Sequence, residues 1–486
     1  MKRLLYGFVP LILCFAFLLP QGSRGATASS GMWPVSNAPK ASPEQGGKRS
    51  YAPGEILVKF KRAASEANIN ALNARNRVAL KQQNKAIDVW RLKIPSDVSV
   101  PEMVRRYKED PDVEWAEPNG IYYLTTSPDD TYYNSQQSWY YDLINAESGW
   151  DIEAGESSVA IAVVDSGVDL DHPDLQAKIW TNSGELAGNG VDDDGNGYVD
   201  DVYGWDFVGS DDGDDADQPG DNNPDVFAGD PSVGDGTDQD GDGTADAGVS
   251  HGTMVAGIAA AQTNNGQGVA GMAWGCKIMA VRAFNPEGWG YFSDIADAIT
   301  YAAENGAKVI NLSFGGDYSH AVEAAINSAH DTYSCVLVAA AGNSNASSLD
   351  YPAALVDTIA VGASDSTNGR AYFSNWGSNL DVVAPGVDIF STFVQSQTGI
   401  ASYGSGAGTS FCTPLVSGLC ALLRSQNSSL NSEQVRDILR NRANNLPDDP
   451  NDSPDAGATW DGAGLINAFN ALAPYRLDLS EIKKRS

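Results

Sequence analysis

The sequence predicts an α/β protein: a parallel sheet with helices on both faces, preceded by a small α+β domain. Three observations predict it. Short apolar runs at residues 159–164, 277–283, 308–314, 335–341 and 358–362 alternate with helical patterns at 251–261, 293–305, 320–330 and 413–424, and that alternation suits parallel strands covered by helices. Residues 51–123 show a separate succession of strand-like and helix-like segments. Charge divides at the same place: residues 1–123 hold 18 Lys+Arg and 11 Asp+Glu, whereas 124–486 hold 13 and 52.

Lys2 and Arg3 precede an apolar run over residues 4–19 and the small-residue stretch Ala26-Thr27-Ala28. These are the parts of a secretory signal, assigned to residues 1–28. A membrane anchor is the other reading, but the run is about 16 residues, contains Pro10 and falls short of the roughly 20 that span a bilayer. The expected product is secreted, free of the membrane and monomeric. Cys14 falls inside the signal. Cys276, Cys335, Cys412 and Cys420 remain and are expected as buried free thiols. Cys412 and Cys420 sit about 12 Å apart on one helical pattern, too far to bond to each other. Residues 29–50 are rich in Ser, Gly, Pro and Asn and read as a linker.

Within 51–123, residues 55–60 read as a strand, 64–77 as a helix, 87–94 as a period-two strand, 101–108 as a helix opening on Pro101, and 113–118 as a further strand. This β-α-β-α-β order predicts an antiparallel sheet. A basic segment of net +7 beside a remainder of net −39 suits an intramolecular complex and argues against nucleic acid as a partner. Residues 124–473 form the larger domain, with an Asp-rich insert at 186–250. Residues 474–486 are a short charged tail without a functional reading.

Three segments of the larger domain carry chemistry. Ala162-Val163-Val164-Asp165-Ser166-Gly167 supplies a carboxylate, Ser250-His251-Gly252-Thr253 an imidazole, and Gly408-Thr409-Ser410 a hydroxyl. A hydroxyl becomes a good nucleophile when a base takes its proton, and the base works best when a third group orients it. Four histidines are present. His172 lies in a turn-like segment, His320 and His330 bound a polar helix, and His251 alone opens a small-residue helix. Asp165 ends one apolar run and Asn343 follows another, so both belong to the carboxyl edge of the sheet. Ser410 is expected at the entrance of a helix whose first turn contains Pro414.

The order Asp, His, Ser and the sequences around these residues resemble the subtilisin-like serine proteases, or subtilases. The resemblance runs from about Tyr51 to about Leu472 and is nearest to secreted thermitase-like and fervidolysin-like members. It implies a subtilisin-like fold and an acyl-enzyme endopeptidase. It also makes 51–123 a propeptide that aids folding and inhibits. The family pattern usually has histidine where Met254 and Leu415 stand, and Met-Ala where Phe411-Cys412 stand. The segment 339–343 resembles the one whose asparagine serves the oxyanion hole, which assigns that role to Asn343, with the Ser410 backbone N–H as second donor. Gly288, Gly290 and Phe292 on one side, and Ser313, Phe314 and Gly315 on the other, resemble the strands that pair with substrate main chain. Phe292, Ile295 and Phe314 would line an apolar subsite. The primary pocket reads as small-residue-lined and neutral, which implies broad specificity.

Residues 179–276 contain no Lys or Arg, and 186–250 hold 19 Asp. The plain reading is a solvated loop. Spacing points instead to calcium: Asp192, Asp194, Asn196, Tyr198 and Asp200 fall at alternate positions around a glycine, as do Asp238, Asp240, Asp242, Thr244 and Asp246. Neither loop has a glutamate at the twelfth position. The resemblance adds a further calcium site at Asp130 and Asp174. The alternative function is a catalytically inactive calcium-binding adhesion protein on the same scaffold, which would leave three ordered catalytic motifs unexplained.

Overall fold

The computed structural model describes residues 51–121, 127–208, 220–226, 248–285, 287–395, 400–446 and 460–473. The signal, the linker, the second Asp-rich loop at 238–246 and the tail lie outside them.

The first described segment folds around a core of its own. It runs β1 (Tyr51–Phe60), α1 (Glu66–Arg75), β2 (Ala79–Asn84), β3 (Val89–Lys93), α2 (Val100–Lys108) and β4 (Val113–Gly120). The sheet is antiparallel in the order β2-β3-β1-β4. Ile56, Val58, Leu92, Met103 and Tyr107 fill the layer between sheet and helices. Each helix starts on a serine: Ser65 Oγ accepts from Asn68 N at 3.1 Å and Ser99 Oγ from Glu102 N at 3.4 Å. The order is therefore β-α-β-β-α-β, with β2 an addition to the expected five elements. Ala79-Leu-Lys-Gln-Gln-Asn84 is a mostly exposed edge strand, so it has no buried face to write an apolar alternation into the sequence.

The larger domain opens with α3 (Ser138–Leu143) and α4 (Ala146–Trp150), then β5 (Ala160–Asp165), β6 (Gly204–Asp206), α5 (Gly248–Ala260), β7 (Lys277–Arg282), α6 (Phe292–Glu304), β8 (Val309–Leu312), α7 (His320–Asp331), β9 (Val336–Ala340), β10 (Thr358–Ser364) and β11 (Val382–Pro385). A hairpin, β12 (Ile389–Gln395) and β13 (Ile400–Gly406), leads to α8 (Thr409–Gln426), α9 (Ser432–Arg442) and α10 (Ala468–Leu472). Seven strands pair in parallel in the order β11-β10-β9-β8-β5-β7-β6. From β5 the chain runs out to the edge strand β6, returns to β7 beside β5, then crosses to β8 on the other side and builds outward to β11. That reversal puts the topological switch point at the carboxyl ends of β5 and β8, where α/β sheets bind ligands. The strands are buried along their length, and so is most of α8.

The five apolar runs read from sequence are β5, β7, β8, β9 and β10. The hairpin β12–β13 was not anticipated. Its polar faces are satisfied by one helix: Ser391 Oγ donates to Met254 O at 2.8 Å and Thr392 Oγ1 to Thr253 O at 2.7 Å. Met254, at a position where histidine is usual, is buried in that packing. The four described cysteines are free and buried.

Glu55 holds the small domain's sheet from inside. Its carboxylate accepts from Arg91 Nε at 2.5 Å and Asn119 Nδ2 at 2.7 Å and also pairs with Lys81. These partners come from β3, β4 and β2. Burial alone would raise the carboxyl, but the hydrogen bonds from Arg91, Lys81 and Asn119 outweigh it and bring the pKa to about 2. A folded pKa below the unfolded value stabilises fully above the unfolded pKa and is lost as pH falls through the folded one. Lys81 and Arg91 are partly exposed, which discounts the gain to roughly 2 kcal/mol. Glu55→Gln should therefore lower the stability of this domain at neutral pH, and the difference from wild type should vanish between about pH 4.5 and 2. Trp90 fluorescence during denaturant titration at several pH values measures it.

Candidate active site

Asp165 ends β5, at the switch point. Its Oδ1 accepts from Ser166 N at 2.8 Å and from His251 Nδ1 at 2.7 Å. His251 lies in the first turn of α5, which can approach because Gly252 has no β-carbon; one there would clash with Gly167 O and lie 3.1 Å from Asp165 Cβ. Thr253 Oγ1 accepts from Asp169 N at 2.9 Å, tying the same helix to the loop beyond Asp165. The imidazole keeps 28% of its side-chain surface in water. Burial pulls its pKa down, but the Asp165 charge and hydrogen bond outweigh that and hold it above the ordinary 6.5. Phe411 packs beside the ring at a centroid distance of 5.4 Å.

Ser410 is the second residue of α8, inside the helix rather than before it, and Pro414 lies in the helix interior. Proline has no N–H, so it removes the helical bond that Ser410 O would accept. Ser313 Oγ replaces it, donating to Ser410 O at 2.8 Å. In return Ser410 Oγ donates to Ser313 O at 2.8 Å. The two serines thus form a reciprocal pair joining α8 to the end of β8, and the Ser410 hydroxyl points to that carbonyl rather than to His251. Cys412 is buried, with its sulfur against Gly362 O and Thr409 O. Burial pushes its thiol well above the usual range, which removes it as a nucleophile.

Asn343 lies three residues past β9. Its Oδ1 accepts from Thr409 N at 2.8 Å and Thr409 Oγ1 at 3.0 Å. With the oxygen occupied, Nδ2 is the end left to donate. A β-carbon on Gly408 would sit 3.4 Å from Asn343 Nδ2 and 3.7 Å from Ser410 N, so both donors flank one small space.

Gly288, Gly290, Phe292, Ile295, Phe314 and Gly315 line a single cavity of about 230 Å³. Ser313 does not line it and is paired with Ser410 instead. The neighbouring crevice is not neutral as expected: Asp350 reaches it from a distant part of the chain.

Among the described residues one group of three carboxylates lies close enough to share a metal ion, Glu185, Asp194 and Asp201, with ligand atoms within 4.8 Å. Of the first Asp-rich loop only Asp194 belongs to it. Asp192 turns back on the amides of Gly195 and Gly197, at 2.7 and 2.9 Å. Asp200, in the left-handed region, turns to the amides of Asn189 and Gly190. That turn brings the next residue, Asp201, inward, where Tyr301 Oη donates to it at 2.6 Å. Asn196 donates to Asp201 at 3.1 Å, and the Tyr198 ring packs against Trp205 and Tyr301. Glu185 and Asp201 escaped the spacing argument because one precedes the loop and the other falls at an odd position.

Asp130 and Asp174 meet at the turn 264–269. Asp130 Oδ2 accepts from Asn264 N at 3.0 Å, while Asp174 accepts from Asn265 Nδ2 at 2.9 Å and Val269 N at 2.8 Å. Asp130 Oδ1 is buried and has no partner. Burial raises both carboxyls, that of Asp130 to about 6, and the charge of Asp174 adds to it. An orphaned buried oxygen beside a second carboxylate fits a cation.

The model of the subtilase family matches residues 156–459. The chain is a subtilase. The fervidolysin N-terminal prodomain matches residues 37–119, so this subtilase carries a propeptide domain ahead of its peptidase domain. It is 36% identical over 429 residues to the thermophilic serine proteinase of Bacillus sp. (strain AK1), covering 87% of this chain and 88% of the relative. It is 37% identical over 347 residues to thermitase of Thermoactinomyces vulgaris, covering 71% and 99%. The crystal structure of fervidolysin from Fervidobacterium pennivorans, a keratinolytic enzyme related to subtilisin, shares the fold with a TM-score of 0.54 at 23% identity, over 89% of this chain and 62% of that one. The subtilase is thus a serine peptidase with protein or peptide substrates and its own propeptide as partner.

The Asp165–His251 pair makes a measurable prediction. In Ser410→Ala protein the His251 ring should titrate above 6.5 by NMR, and Asp165→Asn should bring it down, since both contributions that oppose burial come from Asp165.

Proposed function

We propose that this subtilase is a secreted serine endopeptidase of broad specificity, made as a self-processing zymogen and stabilised by calcium. His251 takes the proton of Ser410, the hydroxyl attacks the scissile carbonyl, and Asp165 orients the imidazole and stabilises its charged form. Asn343 Nδ2 and Ser410 N donate to the developing oxyanion; losing one such donor costs about 2.7–4 kcal/mol of barrier stabilisation. The observation that carries the reading is the Asp165–His251 hydrogen bond at 2.7 Å at the carboxyl edge where Ser410 and Asn343 also lie. Substrate would lie along residues 313–315, with an apolar side chain in the Phe292–Ile295–Phe314 cavity. No helix among the described residues is long and apolar enough to cross a membrane. The propeptide would assist folding and occupy the cleft until removed.

Calcium would be held by Asp130 and Asp174 at one site, and by Glu185, Asp194 and Asp201 at another. It would supply positive charge to carboxylates that otherwise repel, the second group in a stretch without Lys or Arg.

Two experiments test this. The enzyme should cut itself between about Tyr122 and Asp130, and Ser410→Ala should accumulate as the uncut precursor with no casein hydrolysis. Self-processing by pure Ser410→Ala protein would remove Ser410 from the mechanism. Chelation should lower the melting temperature, by the equivalent of about 2.7 kcal/mol relative to calcium at a hundredfold excess over Kd. Asp194→Ala with Asp130→Ala should abolish most of that response. Identical melting curves in chelator and in calcium would refute both sites.

A further inference from the structure

Beyond Leu312 and Ala340, strands β8 and β9 no longer pair. Residues 313–315 and 341–343 become the two walls of a crevice that begins beside Ser410. The reciprocal Ser313–Ser410 bonds mark one wall at that end and the Thr409–Asn343 bonds the other. Its far end is closed by an antiparallel bridge, Gly316 N to Tyr351 O at 2.9 Å and Tyr351 N to Gly316 O at 3.1 Å.

Asp350 stands at that closed end. Its backbone is fixed by Asp350 N donating to Ala341 O at 3.0 Å. Its side chain lies between the walls. A β-carbon on Gly315 would be 2.9 Å from Asp350 Cβ and 3.3 Å from Oδ2, and one on Gly342 would clash with Oδ2. The two glycines therefore leave room for the carboxylate. Asn375 Nδ2 donates to Oδ1 at 3.2 Å. Among the described residues no Lys or Arg pairs with Asp350, and Oδ2 receives no hydrogen bond. Burial raises this carboxyl and the Asn375 bond opposes that.

We propose that Asp350 determines specificity at the residue preceding the cut, favouring a lysine or arginine side chain over an acidic one within an otherwise broad activity. A long cationic side chain can lay its methylenes along the glycine walls and offer its charged donors to Oδ2. An acidic side chain would meet an unneutralised like charge in a half-buried crevice. The proposal rests on the reading of Ser410 as nucleophile.

The test uses mature enzyme at about pH 8, where carboxylates are ionised, and peptide anilides that differ only in the residue before the anilide: Lys, norleucine or Glu. Hydrolysis of the norleucine peptide, blocked by a serine-directed inhibitor, establishes the underlying reading; its absence would sink that reading and not this one. With turnover established, kcat/KM for Lys should exceed that for Glu by at least about tenfold, and Asp350→Asn should bring the ratio close to one. The Lys-to-norleucine ratio of the wild type should fall between low and high salt, which tests the charge effect even if the variant folds poorly. Asp317, an exposed carboxylate lining the adjoining cavity, is the internal rival: loss of the preference in Asp317→Asn rather than Asp350→Asn would overturn the assignment. So would equal turnover of Lys and Glu peptides by the wild type.

Discussion

The burial of α8 is the constraint on which the peptidase domain depends. The helix is apolar on every side, with Leu415, Val416, Leu419, Cys420 and Leu422 removed from water. A helix of that kind must be surrounded, and the sheet and α5 supply the surroundings. Gly418 allows one close approach, since a β-carbon there would lie 2.6 Å from Met272 Cβ and 3.0 Å from Ala259 O, the latter a backbone atom of α5. Because α8 cannot shift without opening a core of several strands, its first turn is held as firmly as its middle. Ser410 and its backbone amide, the proposed oxyanion donor, sit in that first turn. Rigidity at Ser410 is thus a by-product of hydrophobic burial, whose worth of about 25 cal/mol per Å², summed over the buried helix, exceeds that of any one polar contact at the site.

Electrostatics organises the rest. The peptidase domain has a large excess of carboxylates, and the structure disposes of many by turning them on their own loop amides, as with Asp192 and Asp200. Others are gathered where amides are insufficient. Asp130, with a buried oxygen left unpaired, and the group of Glu185, Asp194 and Asp201 are of this second kind. In both cases the carboxylates come from different turns, so a bound cation would join segments that the backbone leaves separate. The propeptide domain solves the same problem with its own cations: Glu55 is surrounded by Arg91, Lys81 and Asn119.

Much of the fold was legible because parallel strands buried on both faces are predominantly apolar, and five of them read that way. The candidate catalytic positions were legible for a related reason. Asp165 and His251 sit where backbones pack closely, and that requirement writes Gly167 and Gly252 beside them, while Gly408 before Ser410 takes a positive φ. What escaped lacked such a signature. The edge strand β2 has no buried face. The hairpin β12–β13 satisfies its polar side chains against α5, a contact invisible in a linear pattern. The reach of α8 back to Thr409 was hidden because Pro414 looks like a helix start, whereas the Ser313 hydroxyl compensates for its missing N–H. Glu185, Asp201 and Asp350 join their sites through tertiary proximity alone.

The reciprocal serine pair has a consequence for the resting enzyme. A hydroxyl has one hydrogen to give, and in this structure Ser313 O receives it. While that bond stands, His251 has no proton to take, and small electrophiles that attack without occupying the cleft would meet a quiescent centre. Turning the hydroxyl to His251 exchanges one hydrogen bond for another, so the cost is less than that of one whole bond, on the order of 1 kcal/mol, and both conformers would be populated in the empty protein. A peptide whose amide N–H donated to the same carbonyl would repay that cost and shift the balance. Latency of this kind needs no lid and no domain movement; it is a competition between two donors for one oxygen.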